Sequence, residues 1–211
     1  MFLLKGTEVF LPQSFKHYQD MIPEKSVEEI IADLLSDDGV LRQSAESSLK
    51  DLPAEIVLPE ISVLLRSPDK SIRKRGMELF CCIGCDAVPS LAVLMNDDEW
   101  IVRYRAVEAL GIIGGDVAHS LLVEALQDSR DHVRYMAAKG LGLSSGIEAA
   151  DAVAVLLDDE NEFVRASSAR ALGQMNLMAY APLIEGALQR ENYEKTRAVM
   201  LEALINLGRD R

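Results

Sequence analysis

Positive charge is scarce in this 211-residue sequence: 22 Lys and Arg stand against 34 Asp and Glu, a formal net charge of −12 at pH 7. That balance repels polyanions, so neither nucleic acid nor an acidic membrane surface is expected as a partner. Cysteine is scarcer still, and its three copies, Cys81, Cys82 and Cys85, fall within five residues. So tight a group cannot staple a fold, and an odd number fits a reducing compartment, which makes the cytoplasm the expected location. No apolar run approaches the roughly 18 residues of a membrane span. The apolar start, Met1 to Leu4, is cut short by Lys5 and Glu8 before it could act as a signal peptide. Histidine is limited to His17, His119 and His132, which are scattered and never followed by Glu. No glycine-rich phosphate loop, HExxH or GxSxG motif occurs. The sequence therefore predicts no catalytic centre and no cofactor.

What the sequence does have is apolar residues, 49% of the total, set in a repeat. Three segments show it plainly: VRYRAVEALGIIG from Val102, VRYMAAKGLGLSS from Val133 and VRASSARALGQMN from Val164. The same frame fits IRKRGMELFCCIG from Ile72 and, more loosely, LRQSAESSLKDLP from Leu41 and TRAVMLEALINLG from Thr196. Its marker arginines are Arg42, Arg73, Arg103, Arg134, Arg165 and Arg197, separated by 31, 30, 31, 31 and 32 residues. Within one unit Val102, Ala106, Ala109, Leu110 and Ile113 recur at the spacing of one helix face. Each marker thus opens a helix, called B.

Before each B helix lies a second amphipathic stretch: Ser26 to Leu35, Ala54 to Leu65, Ala87 to Met95, Val117 to Leu126, Ala149 to Leu157 and Ala179 to Leu188. These are the A helices. Acidic turns such as Asp37-Asp38, Asp97-Asp98 and Asp158-Asp159 join A to B, where carboxylates cap free N–H groups and meet the positive helix end. Gly114, Gly146 and Gly208 are expected to end B helices. A lone helix pair cannot hide its apolar face, so neighbouring pairs must stack, and the fold class is all-α, an α-α superhelix of six two-helix repeats. Small residues at the fifth frame position, Ala45, Gly76, Ala106, Ala137 and Ser168, let the helices approach closely.

The acidic turn, VR, paired small residues and ALG of this unit resemble the HEAT-like repeats of the phycobilisome-lyase type. The resemblance covers about residues 26–208 and implies a HEAT-like solenoid. Repeats are expected at 26–53, 54–84, 85–114, 115–146, 147–176 and 177–208, in a domain over 26–211, with an N-terminal cap over 1–25. The first repeat, with Leu41 and Asp51-Leu52-Pro53, and the last, with Thr196 and Met200, depart from the pattern as terminal units do. The solenoid fold and the missing catalytic motifs make a non-enzymatic protein-binding scaffold or adaptor the expected function; the repeat itself occurs in scaffolds, in bilin lyases and fused to diverse enzymes. The alternative it leaves open is a subunit or chaperone-like accessory of an enzyme such as a bilin lyase.

Residues two and six places past the B-helix opening point away from the core stripe, onto the face that lines the concave side of such solenoids. They are Lys74 and Glu78, Tyr104 and Glu108, Tyr135 and Lys139, and Ala166 and Arg170, flanked by Arg75 and Arg105. Tyrosine and arginine are enriched in interface hot spots, which makes Tyr104 and Tyr135 the expected anchors for a protein partner. Trp100, the only tryptophan, lies in the third acidic turn and reads equally as structure or contact. Cys81, Cys82 and Cys85 contain a CxxC, but CCIGCD stands where another repeat has GIIGGD. They read as replacements near a helix C-terminus, where the dipole disfavours thiolate, and zinc would still need a fourth ligand such as His119. The last B helix, with Val199, Met200, Leu201, Ala203, Leu204, Ile205 and Leu207, has more apolar surface than one face needs, which suggests a homodimer contact.

Overall fold

The computed structural model describes residues 25–50 and 52–208, and of Lys50 the backbone alone. The expected cap over 1–25 lies outside the described residues apart from Lys25. The described residues contain α-helices, short 3₁₀ turns and no strand. Two compact units divide the chain between Val57 and Leu58.

In the first unit α1 (Val27–Leu35) starts at a capping box. The Ser26 hydroxyl accepts the Glu29 N–H at 3.2 Å, and the Glu29 carboxylate accepts the Ser26 N–H at 2.8 Å. Ile30, Ile31 and Leu34 then bury one face of α1, which packs on α2 (Gly39–Lys50) through Ala45 and Leu49. α3 (Ala54–Leu64) begins in this unit and continues into the next.

The second unit continues with α4 (Lys70–Ile83), α5 (Val88–Leu94), α6 (Trp100–Ile113), α7 (Asp116–Ala125), α8 (Asp131–Leu143), α9 (Ala150–Val155), α10 (Glu162–Gln174), α11 (Ala181–Arg190) and α12 (Glu194–Gly208). Even-numbered helices are the predicted B helices, and α4, α6, α8, α10 and α12 pack on one another in chain order. Their repeated apolar positions form the core: Val102, Ala106, Ala109 and Leu110 are fully buried, as are Ala137, Leu141, Val164 and Leu172. The small residues act as spacers. A Cβ added at Gly111 would lie 2.7 Å from the Gly140 Cα, and one at Gly142 would lie 2.7 Å from the Ala171 Cα, so these backbones touch with no room for a methyl group.

The end of α8 departs from the sequence expectation. Gly114 ends α6 with φ 68°, as expected, but after α8 the left-handed residue is Ser145 (φ 56°) while Gly146 has φ −72°. Gly146 is needed for space instead, because a Cβ there would meet the Leu141 Cδ2 at 2.9 Å. A second departure concerns length and apolarity. The sequence shows no run long enough for a membrane span, yet the helical stretch Lys70–Leu94, 25 residues, meets that criterion. Gly84, with φ 74°, splits it into α4 and α5, whose Met77, Leu79, Phe80, Val88, Leu91 and Leu94 lie buried in the repeat core.

A ladder of arginines sets the register between B-helix starts. Each marker arginine donates to the carbonyl six residues earlier: Arg103 to Asp97 at 2.8 Å, Arg134 to Asp128 at 2.9 Å and Arg165 to Asp159 at 2.8 Å. The other side of the guanidinium reaches the next repeat. Arg103 grips Asp128 at 2.7 and 2.9 Å, Arg134 grips Asp159 at 2.8 and 2.9 Å, and Arg165 grips Glu191 at 2.7 and 3.1 Å. These two-pronged bonds match the planar fork of arginine. The same carboxylates accept the N–H two residues on, at Arg130, Asn161 and Tyr193, which closes each turn. The forward grip is made by these three arginines; at Arg73 it is replaced, since Asp97 binds Arg66 and the Arg73 Nε has no hydrogen-bond partner among the described residues.

Candidate partner-binding groove

The ladder lines up the first turns of α6, α8 and α10, and aromatic side chains stand among those there that do not enter the core. Outside the first 25 residues the chain has seven Phe, Tyr or Trp. Four of them, Trp100, Tyr104, Tyr135 and Phe163, project from these three first turns, joined by His132. The helix starts are held locally. Asn161 caps α10 by accepting the Phe163 N–H at 2.8 Å and the Val164 N–H at 3.4 Å. Its amide also donates to the Asp131 Oδ2 at 2.6 Å, which ties α10 to α8.

Ring contacts join the α6 part of the row to α8. Trp100 meets Tyr104 edge-on with centroids 6.5 Å apart and His132 at 5.2 Å. Asp131, His132, Tyr135, Asn161 and Phe163 line an open cavity of about 290 Å³. Phe163 is 61% exposed, so its ring adds apolar surface to the open cavity. Guanidinium groups already lie on part of the row: Arg130 over Trp100 at 4.8 Å and Arg105 over Tyr104 at 5.4 Å.

Carboxylates surround these rings. Asp131 is fully engaged, with Oδ1 on His132 and Oδ2 on Asn161. The His132 hydrogen bond, outweighing partial burial, holds Asp131 below the usual carboxylate range. Burial and the nearby Glu108 raise the Tyr104 phenol above its ordinary value, so it stays neutral. Asp98, Glu99 and Glu162 have no ion pair among the described residues, and Glu160 reaches Arg134 only at 3.5 Å with its side chain 86% exposed.

Of the residues singled out from sequence, Tyr104 and Tyr135 do neighbour each other on α6 and α8 and are partly buried. Arg105 is buried, bonded to Glu108, and its Nε has no partner among the described residues; it supports Tyr104 from below rather than offering its charge to solvent. Lys74, Arg75 and Glu78 form their own exposed cluster on α4, with Lys74–Glu78 at 3.4 Å and Arg75–Glu78 at 3.8 Å. Lys139 and Arg170 lie exposed further along α8 and α10. Cys82 and Cys85 are exposed, whereas burial pushes the Cys81 thiol up to about 11; His119 bonds to the Ser144 hydroxyl at 2.9 Å. On α12, Met200, Ala203 and Leu207 are buried while Leu201 and Ile205 stay exposed. Sequence reasoning missed Phe163 and His132. Both stand one residue before the valine that opens the repeat frame, where a comparison of repeats for aromatic content would have found them.

Fold and groove together define an all-helical repeat protein of the solenoid class with an aromatic row along one set of helix starts. The chain belongs to the HEAT-repeat family, whose profile matches residues 57–142 and again 120–205. Three solved structures share the fold. The complex of CpcE and CpcF of phycocyanin lyase from Nostoc aligns at 19% identity and TM-score 0.64, covering 69% of this chain and 96% of that one. Human deoxyhypusine hydroxylase aligns at 20% identity and TM-score 0.52, over 86% of this chain and 73% of that one. A designed armadillo repeat protein in complex with peptide (KR)4 aligns at 19% identity and TM-score 0.50, over 87% and 100%. A search of curated proteins gave no match.

Proposed function

We propose that this protein is a non-enzymatic interaction scaffold that holds a segment of a partner protein in the groove formed by the first turns of α6, α8 and α10. The observation that supports this reading is the concentration of aromatic surface: most of the described aromatic residues gather there, and Phe163 stands in an open cavity with Tyr135 and His132. Rigid aromatic side chains give large contact area at small entropic cost, and helical repeats hold them at fixed spacing. The likeness to the CpcE–CpcF structure, at 19% identity, bears on fold alone, so the lyase-accessory alternative has no observation of its own. A photo-crosslinking amino acid placed at Tyr135, and separately at Val93 on α5, tests the reading in the native host extract. A discrete adduct from position 135 and none from position 93 is the expected result. Equal labelling from both, or none from either, would remove the groove as the docking site.

A further inference from the structure

The groove itself indicates what it takes. Three rings of the second unit have a guanidinium against them: Arg130 on Trp100, Arg105 on Tyr104 and Arg165 on Tyr193 at 5.9 Å. Tyr135 and Phe163 have none among the described residues. Resting on the docking reading above, we propose that the occupant is a basic peptide segment that lays an arginine side chain on the Tyr135–His132–Phe163 surface.

Three observations carry this. The cavity beside Phe163 holds about 290 Å³ and is open to solvent, room for one long side chain rather than a folded element. Its rings present π faces of the kind that attract a guanidinium, an attraction stronger for arginine than for an equally long neutral chain. Charge complements it. Glu160 and Glu162 flank Asn161 in the α10 turn, and Asp98 and Glu99 stand at the α6 start, in a chain of net charge −12. Asp131 keeps its charge, but its two oxygens are engaged by His132 and Asn161, so it is less free to turn toward a partner than the exposed Glu160. The partner's charge therefore meets Glu160 and Glu162, whose positions extend the binding track along the turns.

Diffuse attraction between an acidic protein and any basic peptide must be separated from a seated arginine. The probe is a fluorescein-labelled peptide of alternating arginine and serine, with two counterparts, one in which every arginine is citrulline and one in which it is phenylalanine. Anisotropy of each is titrated with the full chain near physiological salt, and the emission of Trp100, the only tryptophan, is followed in parallel. The arginine peptide should bind, the citrulline peptide should bind roughly ten-fold more weakly, and Phe163→Ala should weaken the arginine peptide by about five- to ten-fold although it removes no charge. Val93→Ser on α5 should change nothing. If Phe163→Ala binds the arginine peptide as tightly as the unaltered chain, the attraction is diffuse and the proposal falls. Preference for the phenylalanine peptide, lost on Phe163→Ala, would overturn the basic occupant while leaving the docking groove in place. No binding of any of the three would overturn the basic occupant, while the crosslink from position 135 decides separately whether the groove docks a partner. Light scattering of the free protein adds one more outcome: a dimer dissociated by Phe163→Ala would make a second copy of this chain the occupant and overturn the proposal.

Discussion

Asp128 serves three neighbours at once. Its carbonyl accepts from Arg134, its carboxylate takes the fork of Arg103, and one of the same oxygens accepts the Arg130 N–H. Arg134 is the next rung, 9% exposed, bonded both back to its own turn and forward to Asp159. Removing it leaves a nearly buried carboxylate without its counter-charge, a loss of about 3 kcal/mol. Arg134→Ala should accordingly lower the unfolding midpoint strongly, and Arg134→Lys should recover only part of it, because an ammonium lacks the parallel pair of donors that grips both Asp159 oxygens while a third nitrogen holds the carbonyl. Chemical denaturation of the three proteins checks the ordering; equal stability of the lysine variant and the unaltered chain would contradict the role of the fork. The regular spacing of arginines and acidic turns was legible from the repeat; that the one grips the other emerges from the structure. The exception at Arg73 was not legible, since nothing local in the sequence shows that Arg66 takes Asp97 first. Cysteine chemistry belongs to this scale too. With burial raising the Cys81 thiol to about 11, a disulfide reagent at mildly alkaline pH should consume Cys82 and Cys85 rapidly and Cys81 slowly. Peptide mapping of the labelled sites would show whether that order holds.

Among elements, the B helices were read from sequence to within two residues at their starts, because their core face repeats every turn and an arginine recurs near each start; Trp100, read as part of an acidic turn, opens α6. The A helices were harder. α9 is regular only over Ala150–Val155, with 3₁₀ turns on both sides, and apolar periodicity does not distinguish an α-helical turn from a 3₁₀ one. The groove was half legible. Tyr104 and Tyr135 follow from helix phase, but Phe163 and His132 precede the periodic part of their helices, where phase says little about direction, and only the packing of α8 against α10 brings them together. The neighbouring packing of α6 against α8, which sets Tyr104 beside Tyr135, depends on the Gly111–Gly140 contact. Gly140→Ala sets two effects against each other: alanine favours the helix by up to about 1 kcal/mol, while a Cβ 2.9 Å from the Gly111 Cα forces two backbones apart at about 1 to 3 kcal/mol. The steric effect should win, since backbone cannot swing aside as a side chain does. The expected result is a drop in melting temperature of a few degrees; a rise would mean the helices part freely.

At the scale of the whole molecule, net charge and ladder respond to acid in opposite senses. At neutral pH a net charge of −12 repels itself, so mild acidification first relieves strain. Further acid reaches the ladder. Partial burial raises Asp128, but the bonds from Arg103 and the Arg130 N–H outweigh it, and its pKa lies below the ordinary value; the Arg165 bond does the same for Glu191. Both groups therefore have folded pKa values below their unfolded ones. Their contribution is fully present above the unfolded value, near 4, and is lost as pH falls through the folded value, because the unfolded chain binds protons first. Melting temperature should hold or rise slightly from pH 7 to about 5 and fall below about 4. A variant carrying Asp128→Asn with Glu191→Gln should melt lower at pH 7 yet lose less on acidification, so that its curve converges on that of the unaltered protein in acid. Two parallel curves would show that the acid sensitivity arises elsewhere than in the ladder that aligns the groove.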